Sequence, residues 1–210
     1  MFLFFMNTNR VKKELIMTEE TKATRVFWRK GKKTMLCPLE IGDASVIYRG
    51  INHPDSYSFL LNTDPKGLGF EEDWIKSKQK PDGKDITVGI CTLEGVLIGT
   101  MGLHRIEPIH RTAVTGSVIF DEVYRNQGYG TDAKMILLDY AFNILGLEVI
   151  ESRVIGFNDR SSAYSQKCGY KVEARLRGRF YRFGQRHDEI ILSVVRDEWL
   201  PVWEEYKKDL

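Results

Sequence analysis

The chain has 210 residues, 42% of them hydrophobic and 29% charged, the balance of a globular domain long enough to bury a core. Its 31 basic and 29 acidic residues leave a net charge of +2, so there is no bulk electrostatic drive toward nucleic acid or a membrane surface. Cys37, Cys91 and Cys168 are far apart, with no CxxC pair and no His at ligand spacing, which argues against a disulfide framework or a structural zinc and for a reducing cytoplasm.

The opening "MFLFFMNTNRVKKELIM" has an apolar run too short for a signal-peptide core, with its basic residues after the run rather than before it. No stretch reaches the ~18 apolar residues of a membrane span. Residues 1–22 are expected to be a tail or an extra element, with Met6 and Met17 as alternative starts, and residues 23–210 a single domain. A first strand ends near Leu39, and a helix follows Gly42 with Asp43 as a possible cap. Residues 53–85 carry Pro54, Pro65 and Pro81 and read as a long polar loop with a short helix over Phe70 to Lys78, the kind of loop that binds ligands.

From Asp85 the pattern turns to strands. "DITVGICTLEGVLIGTMGLHRIE" reads as a hairpin turning at Glu94-Gly95, and "RTAVTGSVIF" as a third strand with Gly116 a possible bulge. Next comes "VYRNQGYGTDAKM" and then a helix. On that helix Ala133, Leu137, Tyr140, Ala141 and Ile144 form an apolar stripe that ends at a Gly146 cap. A strand over "VIESRVIGF", a short helix over "NDRSSAYSQKCGY" and two more strands close the chain. The order from residue 85 is therefore β-β-β-α-β-α-β-β, an α+β fold with a mixed sheet.

A glycine-containing turn at a helix start presents unpaired amides to an anion, and Gly128 and Gly130 keep Cβ atoms out of the way. Arg125 and Gln127 are candidate further donors. Three readings are open: a turn without a ligand, a dinucleotide site, and a cradle for another phosphorylated cofactor. The dinucleotide site lacks its third glycine, and a meander precedes the turn rather than βαβ units.

"Arg125-Asn-Gln-Gly128-Tyr-Gly130" resembles the R/Q-x-x-G-x-G/A signature of the GNAT N-acetyltransferases. "Asn158-Asp-Arg-Ser161" through "Gly169-Tyr170" is similar to that family's second conserved block. Stretches such as "IGTMGLHRIEPIHRTAVTG" and "LRGRFYRFGQRHDEIILSVV" resemble the RimJ/RimL ribosomal-protein branch. The resemblance implies a mostly antiparallel, GNAT-like sheet flanked by helices. It also implies acetyl-CoA as cofactor, its pyrophosphate on the amides of Arg125, Asn126, Gln127, Gly128, Tyr129, Gly130 and Thr131. The thioester carbonyl would lie at the backbone of Val118, Ile119 and Phe120, and the CoA arm at Asn158. Asn158 reads equally as the cap of its helix.

The implied reaction moves an acetyl group to a primary amine, on a protein N-terminus, a polyamine or another small amine, in a monomer or homodimer. No metal, membrane or nucleic-acid partner is expected. Many relatives use a tyrosine seven residues after the asparagine as general acid, and Ser165 holds that slot here. At ~100° per residue Ser161 and Ser165 fall within about 60° of Asn158, and Tyr164 roughly 120° away. The wheel therefore places a serine near the sulfur and Tyr164 in packing. The carboxylate that many of these relatives carry before the third-strand glycine is Val114 here, leaving His104, Glu107, His110 and Glu122 as candidate bases. His104 suits base work by its pKa range. Freeing an α-amine at neutral pH costs only ~1 kcal/mol against ~4 for a lysine, which favours a low-pKa acceptor. Val114 and Ser165 also admit a catalytically weakened acyl-CoA sensor. Arg175, Arg177, Arg179, Arg182 and Arg186 read as a solvated edge strand, or as a face for an acidic ligand.

Overall fold

The computed structural model describes residues 25–210 apart from Pro81 and Asp209, so the expected tail at residues 1–22 lies outside the described residues. Strands β1 (Arg29–Lys30) and β2 (Thr34–Cys37) lead through a 3₁₀ turn into helix α1 (Ala44–Asn52). The expected polar loop holds two helices, α2 (Pro54–Tyr57) and α3 (Leu68–Lys78). Pro54 starts α2, where its fixed φ suits a first turn and its missing N–H costs nothing.

The hairpin is β3 (Ile86–Thr92) and β4 (Leu97–Glu107), with Gly95 at φ 86° in the turn, and β5 (Thr112–Ile119) follows. Helix α4 (Tyr129–Asp139) runs into a π turn at Tyr140–Ile144. Then come β6 (Val149–Ile155), α5 (Asp159–Lys167), β7 (Lys171–Arg182), β8 (Gln185–Val195) and α6 (Arg196–Lys207). The order from residue 86 is the expected β-β-β-α-β-α-β-β. One eight-stranded sheet runs β1-β2-β3-β4-β5-β6-β8-β7, antiparallel except at β5–β6.

Alternation along the strands feeds two cores. Leu36, Ile90 and Ile98 face one side, with Leu137, Phe142 and Trp199 of α4, its π turn and α6. Met35, Cys37, Cys91 and Leu97 face the other, with Ile47 of α1 and Ile75 of α3.

Three local expectations are corrected. Gly116 is not a bulge: it pairs in register with Gly102, and the irregularity falls between His104 and Glu107. Ile144 leaves the apolar stripe and is 64% exposed, because the π turn adds a residue per turn and shifts the face. Asp43 flanks α1 but does not cap it with its side chain, since its carboxylate holds the Arg25 guanidinium and the Glu40 amide.

Candidate active site

Strands β5 and β6 pair only over Thr112–Thr115 with Val149–Ser152. Beyond that, β5 stays with β4 to Ile119 while β6 stays with β8 to Ile155, so the two strands part. The wedge opens into a cleft of about 630 Å³ whose lining includes Val114–Ile119, Ser152–Val154, Gly128, Gly130 and the first face of α5.

The Phe120 amide donates to the Ile98 carbonyl at 2.9 Å. Strand alternation then turns the Val118 amide toward β4 as well, and the Ser117 and Ile119 amides toward the open side. Of the three expected carbonyl donors, Ile119 alone keeps that orientation. The Val118 and Ile119 residues line the cleft, whereas Phe120 is buried in the second core with its ring against Gly50.

At the turn, Asn126 (φ 58°) and Gly128 (φ 88°) are left-handed. Gly128 is the N-cap of α4, and no side chain caps it. The first intrahelical bond is the Asp132 amide to the Gly128 carbonyl at 2.9 Å, which leaves the Tyr129, Gly130 and Thr131 amides without helical acceptors. Asn126, Gly128, Gly130 and Thr131 line the cleft, while the Gln127 and Tyr129 side chains do not. Gln127 folds back on the Val123 carbonyl, and Tyr129 packs edge-on against Tyr124.

Arg125 lines the cleft but is not the spare donor expected. Its Nε and one Nη bond the Ile119 and Phe120 carbonyls and the Ser56 hydroxyl, because the end of β5 leaves those carbonyls without ladder partners. The cation beside the cradle that sequence reasoning missed is Lys33, whose Nζ donates to the Gln127 carbonyl at 2.9 Å next to Gly128. Asp132 fixes it there by accepting the Lys32, Lys33 and Thr34 amides and the Thr34 and Tyr206 hydroxyls.

Helix α5 begins at Asn158, whose Oδ1 accepts the Ser161 amide at 3.2 Å, the capping role expected of it. Asn158, Arg160, Ser161, Ala163, Tyr164 and Lys167 line the cleft. Ser165 does not: it is fully buried and accepts a hydrogen bond from Lys134 Nζ at 3.0 Å. This overturns the placement of Ser165 near the cofactor. The wheel counted Asn158 as a helical position, but its φ of −91° and ψ of 64° put it off the helix, so the face was misassigned. Tyr164 stands in the cleft instead, its hydroxyl hydrogen-bonded to Ser117 and its ring 4.3 Å from Lys134 Nζ. Ser117 is a second residue the sequence reading missed.

Of the candidate bases, His104 lines the cleft, and Glu107, His110 and Glu122 do not. Gly116 on the neighbouring strand makes room, since a Cβ there would stand 3.4 Å from His104 Nε2. Burial lowers the His104 pKa from its ordinary 6.5, against the pull of Asp85, whose carboxylate is 3.6 Å from Nδ1. The ring is therefore neutral at neutral pH and free to accept a proton. Arg105, Arg125, Arg153, Arg160 and Lys167 give the cleft a positive rim suited to a phosphorylated ligand.

Four of the five arginines of the last hairpin divide by partner. Arg175 and Arg179 pair with Asp188 and Glu189, and Arg186 bonds the Gly178 carbonyl, as a solvated edge would. Arg182 reaches the Leu60 and Leu61 carbonyls and ties the hairpin to the loop after α2. Among the described residues no helix is long and apolar enough to cross a membrane.

A fold with a parted parallel pair, a left-handed glycine turn and a tyrosine on the facing helix defines an acyl-CoA-type transferase scaffold. The acetyltransferase (GNAT) domain model matches residues 33–171, and the chain belongs to that family. It is 34% identical over 100 residues to the uncharacterized N-acetyltransferase YoaA of Bacillus subtilis, covering 48% of this chain and 56% of YoaA. It is 30% identical over 127 residues to YdaF of the same organism, provisionally named a ribosomal N-acetyltransferase, covering 60% of this chain and 67% of YdaF. The chain thus spans little more than half to two thirds of these relatives. Among solved structures, the spermidine N-acetyltransferase of Vibrio cholerae in complex with CoA and spermine superposes with a TM-score of 0.73. At 24% identity over 80% of this chain and 98% of that one, this likeness is one of fold.

Proposed function

We propose that the protein is an acetyl-CoA-dependent N-acetyltransferase acting on a primary amine, a small amine or a protein N-terminus. The observation that carries the reading is the meeting, in one cleft, of the uncapped α4 amides, the parted β5–β6 pair, Tyr164 and His104. The residues fit the cofactor: the left-handed Gly128 turn with Lys33 would hold its phosphates, and Asn158 and the wedge its arm. Bound there, acetyl-CoA supplies an activated acetyl thioester.

The chain's residues do the rest. The Ile119 amide, with Ser117 beside it, polarises the thioester carbonyl from the open side of β5. Neutral His104 takes the proton that the amine loses as its nitrogen bonds the acetyl carbon. Tyr164 gives its proton to the departing sulfur, and Ser117 orients that hydroxyl. The sensor reading loses support on this geometry, since the acid position it lacked is filled by Tyr164.

The test is thermal and then chemical. Acetyl-CoA at 100 times its Kd should stabilise the fold by about 2.7 kcal/mol, and free thiol should appear only when an acceptor amine is added. No thermal shift at millimolar cofactor refutes the reading.

A further inference from the structure

A second cavity lies on the α1–α3 side of the cleft, and His104 lines both. It also measures about 630 Å³. Its walls join an apolar and aromatic set, Ile47 and Ile51 from α1, Tyr57 from α2, and Phe70 and Trp74 from α3, to polar residues that include Asn62, Thr63, Asp64 and Thr100. Glu71 also lines this cavity. The residue is only 3% exposed, and its carboxylate makes no hydrogen bond or ion pair among the described residues. The one lysine or arginine in the lining, Lys66, acts on Glu71 through its charge but makes no hydrogen bond to it, its Nζ lying 4.7 Å from the Phe70 ring centroid.

A buried carboxylate without a hydrogen-bond partner is costly to a fold, and a cationic ligand in the cavity would supply one. We infer that this cavity is the acceptor subsite, and that Glu71 binds a second positive charge on an aliphatic diamine whose other nitrogen is acetylated at His104. The inference rests on the acetyl-transfer reading for the reacting end only.

Three features select this acceptor. Aromatic faces and a carboxylate attract an ammonium together. Apolar walls suit a methylene chain, which asks for no hydrogen bonds. A peptide backbone does ask for them, and among the lining's polar groups the Asn52 amide is already spent on the Tyr48 and Lys66 carbonyls and the Lys66 amide. The two charged ends also have opposite needs, since the reacting nitrogen must be neutral beside His104 while the distal one stays protonated on Glu71.

The test compares 1,4-diaminobutane, butan-1-amine and an alanine-initiated neutral peptide, by calorimetric binding to the CoA-saturated full chain and by thiol release. Wild type should bind the diamine about 10-fold or more tightly than the monoamine, as a charge-assisted contact implies. Glu71→Gln should remove that difference while leaving the CoA affinity unchanged. It should also raise the melting temperature of the free protein, whereas loss of a carboxylate with a purely structural role would lower it. Equal binding of diamine and monoamine by wild type overturns the proposal without any variant, as does the peptide binding best. Glu71-dependent diamine binding with no thiol release from any amine upholds the subsite and refutes acetyl transfer.

Discussion

Replacing Tyr164 by Phe removes one oxygen and tests the acid assignment directly. The ring keeps its place near Gly130 and 4.3 Å from Lys134 Nζ, so packing is unchanged. What is lost from the fold is the hydrogen bond to Ser117, worth about 0.5–1.5 kcal/mol. At about 2–4 °C per kcal/mol for a chain of this size, the melting temperature should fall by no more than ~6 °C. The chemical loss is larger. General acids contribute about 10²–10⁴-fold, and a thiolate leaves readily without help, so the low end applies: kcat should fall about 10²-fold, or ~2.7 kcal/mol. Ser165→Ala is the counterpart. It strips the hydrogen bond from buried Lys134 Nζ, the one it makes among the described residues, so it should cost about 1–3 kcal/mol of stability and leave kcat within about 3-fold. Steady-state thiol release and thermal melts on both variants read the two effects separately. If Tyr164→Phe retains more than a third of kcat while Ser165→Ala loses 10²-fold, the assignment is reversed.

Gly128→Glu should abolish the thermal shift with acetyl-CoA, since it puts a like charge in the cradle and a side chain at φ 88°; a surviving shift would place the phosphates elsewhere. His104→Gln should lower kcat about 10²-fold or more, in line with loss of a general base. The wild-type kcat/KM, expressed per concentration of neutral amine, should fall as pH drops through the depressed His104 pKa, with an acid limb below pH 6.5 that is missing from the glutamine variant. An acid limb at or above 6.5, or one that persists in the variant, would assign the base to another group.

The glycine turn and the uncapped helix start were legible in the sequence because they are contiguous within "VYRNQGYGTDAKM", and short-range backbone rules suffice there. The order of strands and helices along the chain from residue 86 was legible for the same reason. Sequence reasoning failed where a residue's direction depended on a dihedral it does not print. Asn158 sits off the helix it caps, which moved Tyr164 into the cleft and Ser165 out of it. Arg125 looked like a free donor because nothing in its neighbourhood reveals that two carbonyls at the end of β5 need it. Lys33 and Ser117 were not visible, since each meets its partner across many tens of residues, and the Glu71 cavity was visible only indirectly. The only hint was a Pro-punctuated loop too long to be idle.

The bond from Arg182 to Leu60 and Leu61 has a consequence for how such a scaffold diversifies. On the proposed reading the donor grip lies mostly in one run of chain, β5 to α5, with Lys33 added from the β1–β2 turn, while the acceptor wall is assembled from the α1–α3 segment, which a distant hairpin tip braces across the Phe59, Phe157 and Phe183 rings. Selection can therefore rewrite the acceptor half by trading a helix pair and its brace together, as a lock keeps its spring while its wards are recut.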